Sequence, residues 1–304
     1  MPKWRLAEIR EGVRMLMFSF PIGVAPPFKD RFRYFLSQLR FLLPIPHRYL
    51  EEWAKRFAFG LRLVWENEKE EIYAREGLFY VVPKGEDFRN VLFIVIHSTN
   101  LMCQYQEPPA VVKEGDIVMD CGANTGVASL FFAKRVGQGG KVIAIEPERK
   151  NFEALRRTAK LNEGKVAPII PVNVAVYRED CQRELFLSDL NPGAHSLYYE
   201  RRKEEAKLRS DYEEVKAMKI DTLVEELGLE RVDFIKMDIE GAEVDALLGA
   251  EKTISQFKPK LAVCTYHYPT NSMEIRNILS KYNPNYKFKE VERLEKVLFA
   301  WDEV

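Results

Sequence analysis

Hydrophobic and polar positions follow two different patterns along the chain. In the first part, apolar positions recur at helical spacing over residues 32–43, and two short strands surround Glu76-Gly77. Pro108-Pro109 is the strongest boundary signal. We therefore predict a mainly helical N-terminal extension with short strands over residues 1–110, and a second domain over residues 111–304.

From residue 111 onward, short apolar runs alternate with amphipathic stretches. The runs predict strands over residues 116–120, 141–145, 167–172, 215–220, 232–237 and 260–265, and a hairpin over residues 286–301. The stretches between them predict helices over residues 124–136, 148–162, 222–227, 243–257 and 272–282. Strands separated by helices indicate an α/β fold. We predict a Rossmann-like, doubly wound, mostly parallel sheet with a terminal antiparallel hairpin.

A glycine loop follows the first predicted strand of this domain. The strand ends at Asp120, and the residues CGANTG over positions 121–126 lead into a helix. Glycines permit a tight turn and a close approach of a ligand, and the start of the helix offers free N–H groups. A carboxylate before the loop suits a cationic ligand, such as the ammonium and sulfonium of S-adenosylmethionine. Taken alone, the loop is better explained as an ordinary strand-to-helix turn.

A second acidic residue supports a nucleoside-containing ligand. Glu146 lies at the end of the second strand, about 20 residues beyond the loop, where an acid can accept hydrogen bonds from ribose hydroxyls. The alternative is a surface glutamate at a helix start. These two features alone also allow a dehydrogenase. However, the loop reads GxNxG rather than GxGxxG, and no residue set suited to hydride transfer is evident.

Four segments of the second domain resemble the FkbM-type methyltransferases. They are GDIVMDCGANTGVASLFFAK, VIAIEPERKNFEALRRTAKLN, VNVAVYRED and VDFIKMDIEGAEVDALLGAE. The resemblance extends over about residues 105–304. It implies a Rossmann-like methyltransferase fold, S-adenosylmethionine as cofactor and O-methylation of a hydroxyl on a sugar, glycan or other small molecule.

The same resemblance implies roles for individual residues. The residues implied around the methionine part of the cofactor are Asp120, Gly122, Ala123, Asn124, Thr125 and Gly126. Glu146 is implied at the ribose. Asn173 lies where methyltransferases often bond the adenine edge, and an ordinary turn asparagine is the equal alternative.

Three further residues at strand ends are candidates for catalysis. Asp238 and Glu240 follow the strand over residues 232–237, and His267 follows the next strand. The carboxylates can orient an acceptor hydroxyl, take its proton or hold a divalent cation, or they can cap a helix. His267 can be a general base, a metal ligand or a hydrogen-bonded structural histidine. We assign the base to Asp238 or His267, and we assign no metal ligands.

Two more residues outside these strands are placed near the expected cleft. His195 lies in a polar and aromatic insertion over residues 191–212, which is a candidate cover for the acceptor. Tyr105 precedes the second domain and is either a lid residue or a packing residue.

Charge is unevenly distributed along the chain, but its distribution does not identify the binding partner. Residues 1–60 contain eleven Lys or Arg and five Asp or Glu, a net charge of +6, so the rest of the neutral chain carries −6. This basic segment can meet RNA, a membrane surface or an anionic acceptor, or its apolar residues can pack on the catalytic domain. We favour packing. Nucleic acid and peripheral membrane contact remain alternatives, and the pattern does not predict an oligomeric state.

The proposed small-molecule methyltransferase has two alternatives, each of a different functional class. An RNA methyltransferase is the runner-up, although the N-P-P-Y type motif for methylation of base amino groups is absent. A non-enzymatic module that binds the cofactor or a partner is the third reading. The four cysteines form no CxxC pair, and neither a signal peptide nor a clean apolar span of about 20 residues is evident. We therefore expect a cytoplasmic protein.

Overall fold

The computed structural model describes residues 61–84, 103–188, 193–204, 208–267, 271–293 and 295–302. The chain divides between Gln104 and Tyr105 into two compact units, residues 1–104 and 105–304. The helices predicted within residues 1–60 lie outside the described residues. The roles assigned from sequence to residues 1–110 and 111–304 stay predictions.

The described part of the first unit is a three-stranded antiparallel sheet. Its strands are β1 (Arg62–Glu66), β2 (Glu70–Arg75) and β3 (Leu78–Pro83), in that spatial order. Glu76 and Gly77 form the turn between β2 and β3 with φ values of 50° and 81°, so the two strands predicted around this pair are present. The strand β1 was not predicted.

The second unit contains the predicted alternation of strands and helices. Its described elements are β4 (Ile117–Cys121), α1 (Val127–Val136), β5 (Lys141–Ile145), α2 (Arg149–Leu161), β6 (Ile169–Val172), β7 (Ala175–Val176), β8 (Cys181–Ser188), α3 (Tyr199–Arg202), β9 (Leu208–Met218), α4 (Ile220–Glu226), β10 (Phe234–Met237), α5 (Glu243–Leu248), α6 (Glu251–Phe257), β11 (Lys260–Cys264), α7 (Asn271–Tyr282), β12 (Tyr286–Glu292) and β13 (Lys296–Asp302).

A seven-stranded sheet forms the centre of this unit. Its spatial order is β12-β13-β11-β10-β4-β5-β6. The strands β11, β10, β4, β5 and β6 are parallel, while β13 pairs antiparallel with both β11 and β12. Residues of β4, β10 and most of β5 and β11 are buried, as expected for apolar strands covered on both faces. The predicted Rossmann-like α/β fold with a terminal hairpin is confirmed.

The order of the strands also predicts where a ligand binds. The chain proceeds from β4 outward to β5 and β6, and later returns to place β10 and β11 on the other side of β4. Such a reversal leaves a crevice at the carboxyl ends of the central strands, which is the usual ligand site of open α/β sheets. The loops after β4, β5 and β10 therefore carry the candidate site.

A separate three-stranded sheet, formed by β7, β9 and β8, corrects one strand prediction. Residues 215–220 were predicted as a strand, but the observed β9 runs from Leu208 to Met218 and belongs to a separate sheet of order β7-β9-β8. The strand β8, which pairs antiparallel with β9, was not predicted. Both strands mix buried and exposed positions, as expected for an antiparallel sheet with one solvated face. Their polar residues therefore hid them from a search for apolar runs.

The helix predicted over residues 243–257 is two helices, α5 and α6, which are separated at Gly249 and Ala250. A Cβ atom built on Gly249 would lie 2.1 Å from the carbonyl oxygen of Tyr177. This close approach to the chain beyond β7 requires a glycine, and it places the break at this position.

None of the helices in the described ranges combines the length and apolar character needed to cross a membrane. Residues 1–60, to which the membrane alternative refers, lie outside those ranges. The expected cytoplasmic location stays a prediction.

The Gly249→Ala variant tests the close contact of Gly249 with the carbonyl oxygen of Tyr177. We expect its free energy of unfolding in urea to fall by about 1–3 kcal/mol, because the added methyl group overpacks the site against a backbone carbonyl. Gly139→Ala is the matched control, since the nearest atom to its Cβ is the Cα of Gly115 at 3.8 Å. Equal stability of the two variants would show that the contact with Tyr177 is unimportant.

Candidate active site

A cleft lies at the carboxyl ends of the central strands. Its lining residues are Gly122, Asn124, Ile145, Glu146, Pro147, Asn151, Val174, Ala175, Val176, Leu185, Gly193, His195, Leu197, Asp238, Ile239, Glu240 and Ala242. One part is therefore apolar, and another is lined by carboxylates.

Five of the predicted site residues line this cleft. They are Gly122, Asn124, Glu146, Asp238 and Glu240. The others are not among its lining residues: Asp120, Ala123, Thr125, Gly126, Asn173 and His267. The structure therefore brings the loop after β4, the acid after β5 and the acids after β10 to one place, and it assigns the remaining residues to supporting contacts.

Gly122 is required by a neighbouring loop. Its φ is 79°, and a Cβ atom built on it would lie 2.0 Å from the carbonyl oxygen of Asp238. The loop after β4 thus packs directly on the backbone of the loop after β10. The same glycine lines the cleft, so its small size serves both the packing and the open space.

The side chain of Glu146 is held by the backbone of two loops. Its Oε2 accepts a hydrogen bond from the backbone N–H of Asn124 at 2.8 Å, and its Oε1 accepts one from Glu148 at 3.0 Å. Burial raises the pKa of Glu146 to about 7, although these N–H donors act in the opposite direction. The carboxylate is therefore fixed in the cleft wall and titrates near neutral pH.

Other loop residues predicted to bind the cofactor have structural contacts. The Nδ2 of Asn173 donates to the carbonyl oxygens of Glu146 and Pro147, both at 2.9 Å, which fixes the loop after β5. Ala123 packs with Ala144 and Leu155. A Cβ atom on Gly126, which has a φ of 92°, would lie 2.8 Å from the Cδ1 of Leu155. The turn alternative for Asn173 agrees with these contacts.

The carboxylate of Asp120 is buried below the cleft. It is 0% exposed, its Oδ1 lies 3.1 Å from Lys236 Nζ, and its Oδ2 accepts a hydrogen bond from Ser129 Oγ at 2.6 Å. Lys236 also donates to the carbonyl oxygens of Cys121 and Gly122 at 3.2 and 2.8 Å. Asp120 therefore anchors a lysine that in turn holds the glycine loop.

Two tyrosine hydroxyls hold the carboxylate of Asp238. Tyr105 donates to its Oδ2 at 2.8 Å, and Tyr266 donates to its Oδ1 at 3.1 Å. Burial would raise the pKa of Asp238, but the charges of Lys236 and His267 and the two hydroxyls lower it below its usual value. Burial and the charge of Asp238 raise the pKa of Tyr105 well above its usual range. The tyrosines are thus donors to an ionised carboxylate.

His267 lies behind the acidic wall of the cleft. Its Nε2 is 3.4 Å from Glu240 Oε2 and 3.8 Å from Asp238 Oδ1, and its Nδ1 is 2.8 Å from Glu243 Oε1. Burial lowers the pKa of His267, but the adjacent carboxylates of Glu243 and Glu240 outweigh this effect and raise it well above its usual value. A protonated imidazole cannot accept a proton, so Asp238 is the better candidate for the base.

His195 differs from His267 in its charge state. Burial, with the charges of Arg209 and Lys150, lowers its pKa to about 4, so the ring is neutral at neutral pH. Its Nδ1 accepts a hydrogen bond from the backbone N–H of Ser188 at 2.9 Å, which assigns the proton to Nε2. The ring lines the cleft and offers a neutral donor there.

Sequence reasoning missed Lys236, Tyr266 and the contact of Glu243 with His267. A signal for Lys236 exists, because it is the one charged residue inside the apolar run FIKM of β10, and its register partner on β4 is Asp120. A lysine in a buried strand beside an aspartate indicates an ion pair. Tyr266 and Glu243 carry no comparable signal.

Removal of the Lys236 ammonium tests its supporting role. We expect Lys236→Met to lower the free energy of unfolding by about 3–5 kcal/mol, because Asp120 is left as a buried charge without its cation. The double variant Lys236→Met with Asp120→Asn should recover part of this loss, since no buried charge remains. Chemical denaturation measures both. A double variant that is less stable than the single one would contradict the charge argument.

Comparison with known proteins identifies the family. The profile of the methyltransferase FkbM domain matches residues 120–293. Methyltransferase 1 of Beauveria bassiana is 28% identical over 155 residues, which cover 47% of this chain and 61% of that protein. AMB antimetabolite synthetase AmbE of Pseudomonas aeruginosa is 27% identical over 178 residues, which cover 48% of this chain and 8% of that protein.

The chain also aligns with a solved structure. The crystal structure of methyltransferase FkbM from Methylobacillus flagellatus is 21% identical with a TM-score of 0.46, and the match covers 70% of this chain and 54% of that one. Each of the three alignments covers less than two thirds of the relative's own length. The resemblance seen in the sequence is confirmed by the profile, which matches more than half of the chain and includes all the predicted site residues. The chain belongs to the FkbM family of methyltransferases.

Proposed function

We propose that this protein uses S-adenosylmethionine to methylate a hydroxyl group of a sugar, glycan or other small molecule. One observation carries the proposal: the cleft joins the loop of Gly122 and Asn124 and the acid Glu146 to the ionised Asp238. A cofactor site and a candidate base therefore share one space, as a direct methyl transfer requires.

The walls of the cleft fit the parts of S-adenosylmethionine. A ribose has hydroxyl donors that suit the fixed carboxylate of Glu146. The apolar wall suits a flat base, and its side chains include Val174, Val176, Leu185 and Leu197. A cleft lined by Asp238 and Glu240 favours the positive charges of an ammonium and a sulfonium. When bound, the cofactor supplies a methyl group on a positively charged sulfur.

The residues of this chain then provide alignment and proton removal. Reactants held in line can gain about 7–11 kcal/mol from orientation alone. Asp238, fixed by Tyr105 and Tyr266, accepts the proton of the acceptor hydroxyl, and Glu240 on the same wall orients the acceptor. The hydrogen bonds from the two tyrosines keep the carboxylate in place while the acceptor binds.

The competing functions lack an equivalent observation. The RNA alternative rests on the basic residues 1–60, which lie outside the described residues. The reading as a non-enzymatic module leaves the ionised Asp238 in the cleft without a function. We therefore propose a small-molecule or glycan acceptor.

Cofactor affinity should depend on pH through Glu146. Its carboxylate accepts hydrogen bonds from the ribose more strongly when ionised, and its pKa is about 7. We expect the dissociation constant of S-adenosylmethionine, measured by calorimetry, to increase as the pH falls from 8 to 6, by up to about tenfold per unit below the pKa. Glu146→Gln should bind more weakly at pH 8 and lose this dependence. Absence of binding by the wild-type protein would refute the proposed cofactor.

The pKa of Glu146 also predicts the sign of a stability effect. Its folded-state value is raised from 4.5 to about 7, so the folded state binds the proton more tightly. The corresponding stabilisation is complete below about pH 4.5 and is lost as the pH rises to about 7. The free energy of unfolding of Glu146→Gln should therefore fall less than that of the wild type over this interval.

The catalytic role of Asp238 is tested in a labelled methyl-transfer assay. Fractionated cell extract, separated into glycan, lipid and RNA pools, supplies the acceptor. We expect Asp238→Asn to reduce turnover by about 10²–10⁴-fold, which is a much larger effect than its effect on cofactor affinity. Asp211→Asn, at an exposed position of β9, should leave turnover unchanged. Label in the RNA pool alone would contradict the proposed acceptor class, and full activity of Asp238→Asn would exclude it as the base.

A further inference from the structure

We propose that Asp238, Glu240 and His267 form a binding site for one divalent cation at the edge of the cleft. We call these three residues the acid–histidine cluster. The binding site itself is argued from their geometry, and only its role toward an acceptor rests on the proposed function.

The spacing of the donor atoms fits a single ion. One imidazole nitrogen and two carboxylate oxygens of the cluster lie within 4.8 Å of one another. The Nε2 of His267 is 3.4 Å from Glu240 Oε2 and 3.8 Å from Asp238 Oδ1. Ligands bonded at about 2.0–2.2 Å to one ion are separated by roughly 3–4 Å. The two distances from His267 to the carboxylates therefore already match those between ligands of one ion.

The buried imidazole is an independent observation in favour of a ligand. The side chain of His267 is 0% exposed, and its Nε2 makes no hydrogen bond of normal geometry within the described part of the chain. A buried polar group without such a bond is costly. Its Nε2 points between the two carboxylates at distances that are too long for strong hydrogen bonds. A cation in this position satisfies the nitrogen and both acids together.

The surroundings orient the proposed ligands. Glu243 Oε1 lies 2.8 Å from Nδ1 of His267, on the opposite side of the ring from the cluster. A carboxylate behind a metal-binding histidine commonly fixes the orientation of the ring. Tyr105 and Tyr266 donate to Asp238. The hydroxyl of Ser196 donates to the carbonyl oxygen of Glu240 at 2.8 Å, and so fixes the backbone that presents that acid.

The donor set also indicates the kind of ion and its access. Imidazole suits Zn²⁺ and Fe²⁺, whereas carboxylates also suit Mn²⁺ and Mg²⁺, so a mixed set favours a small divalent ion such as Mn²⁺. Three protein ligands leave coordination positions open. Asp238 and Glu240 line the cleft, so these positions face the acceptor side. A hydroxyl bound there is held in place and becomes more acidic.

Binding of Mn²⁺ to the full-length protein tests this site without an acceptor or cofactor. The protein is first treated with a chelator and then titrated with Mn²⁺ at about pH 8, because protons and metal ions compete for a histidine. The decrease of the free-ion electron paramagnetic resonance signal measures binding. We expect one Mn²⁺ per chain, and at least tenfold weaker binding by Glu240→Gln and His267→Gln.

Two further variants separate the ligands from general charge effects. Glu243→Gln should weaken Mn²⁺ binding by about 10–100-fold through the orientation of the ring. Glu163→Gln removes an equal charge from an exposed position, where Glu163 pairs with Lys160, and should leave the affinity unchanged. Circular dichroism and thermal unfolding check that each variant is folded. If His267→Gln does not fold, Glu240→Gln, at the more exposed position, decides the result.

The results of the Mn²⁺ titration distinguish failure of the metal site from failure of the proposed methyltransferase function. Wild-type protein that binds S-adenosylmethionine but no Mn²⁺ would overturn the metal site and leave the methyltransferase proposal intact. Mn²⁺ binding that persists in both Glu240→Gln and His267→Gln would also overturn it. Stoichiometric binding lost in these variants and kept in Glu163→Gln supports the site, even if no cofactor binds.

Discussion

A buried ion pair between Lys236 and Asp120 joins the two strands from which the candidate active site is built. The two side chains are in register on β10 and β4, and both are almost completely inaccessible to solvent. The same ammonium holds the carbonyl oxygens of Cys121 and Gly122, and its charge lowers the pKa of Asp238. The position of the glycine loop and the ionisation of the proposed base therefore depend on one side chain.

Burial alone does not determine the charge states in the cleft. Glu146 and Asp238 are both acids at strand ends, but their pKa values move in opposite directions. Backbone donors only partly offset the burial of Glu146, whereas the charges of Lys236 and His267 outweigh the burial of Asp238. Paired groups whose environments separate their pKa values commonly have different roles. This difference is consistent with our proposal that Glu146 binds the cofactor and Asp238 takes the proton of the acceptor.

The acids around His267 concentrate negative charge at one edge of the cleft. Asp238, Glu240 and Glu243 all approach one imidazole, which is a concentration of negative charge that a proton or a cation can balance. In the absence of a cation, the raised pKa of His267 shows that a proton has this role. The proposed cation would replace that proton and release His267 from the charged form that prevents it from acting as a ligand. The same residues thus connect the electrostatics of the cleft with the proposed metal site.

The sequence by itself determined the central sheet and several residues of the cleft. The apolar runs of β4, β5, β10 and β11 and the terminal hairpin were evident because burial on both faces demands uninterrupted apolar residues. Glu146, Asp238 and Glu240 were predicted at the cleft because parallel strands end at the same edge of a sheet. Gly122 and Asn124 were predicted there from the glycine loop and the family resemblance. The polar strands β8 and β9 gave a weaker pattern and were missed or misplaced.

Only the tertiary structure decided which side chains touch. Lys236 and Asp120 are separated by 116 positions, and Tyr105 and Asp238 by 133. Asp120, which we predicted at the cofactor, is buried beside Lys236, and Asn173 bonds to the backbone after β5. Periodicity reports the burial of each residue, but it carries no information on the register between distant strands. The pairing of charges, and with it the pKa of each group in the cleft, is set by that register.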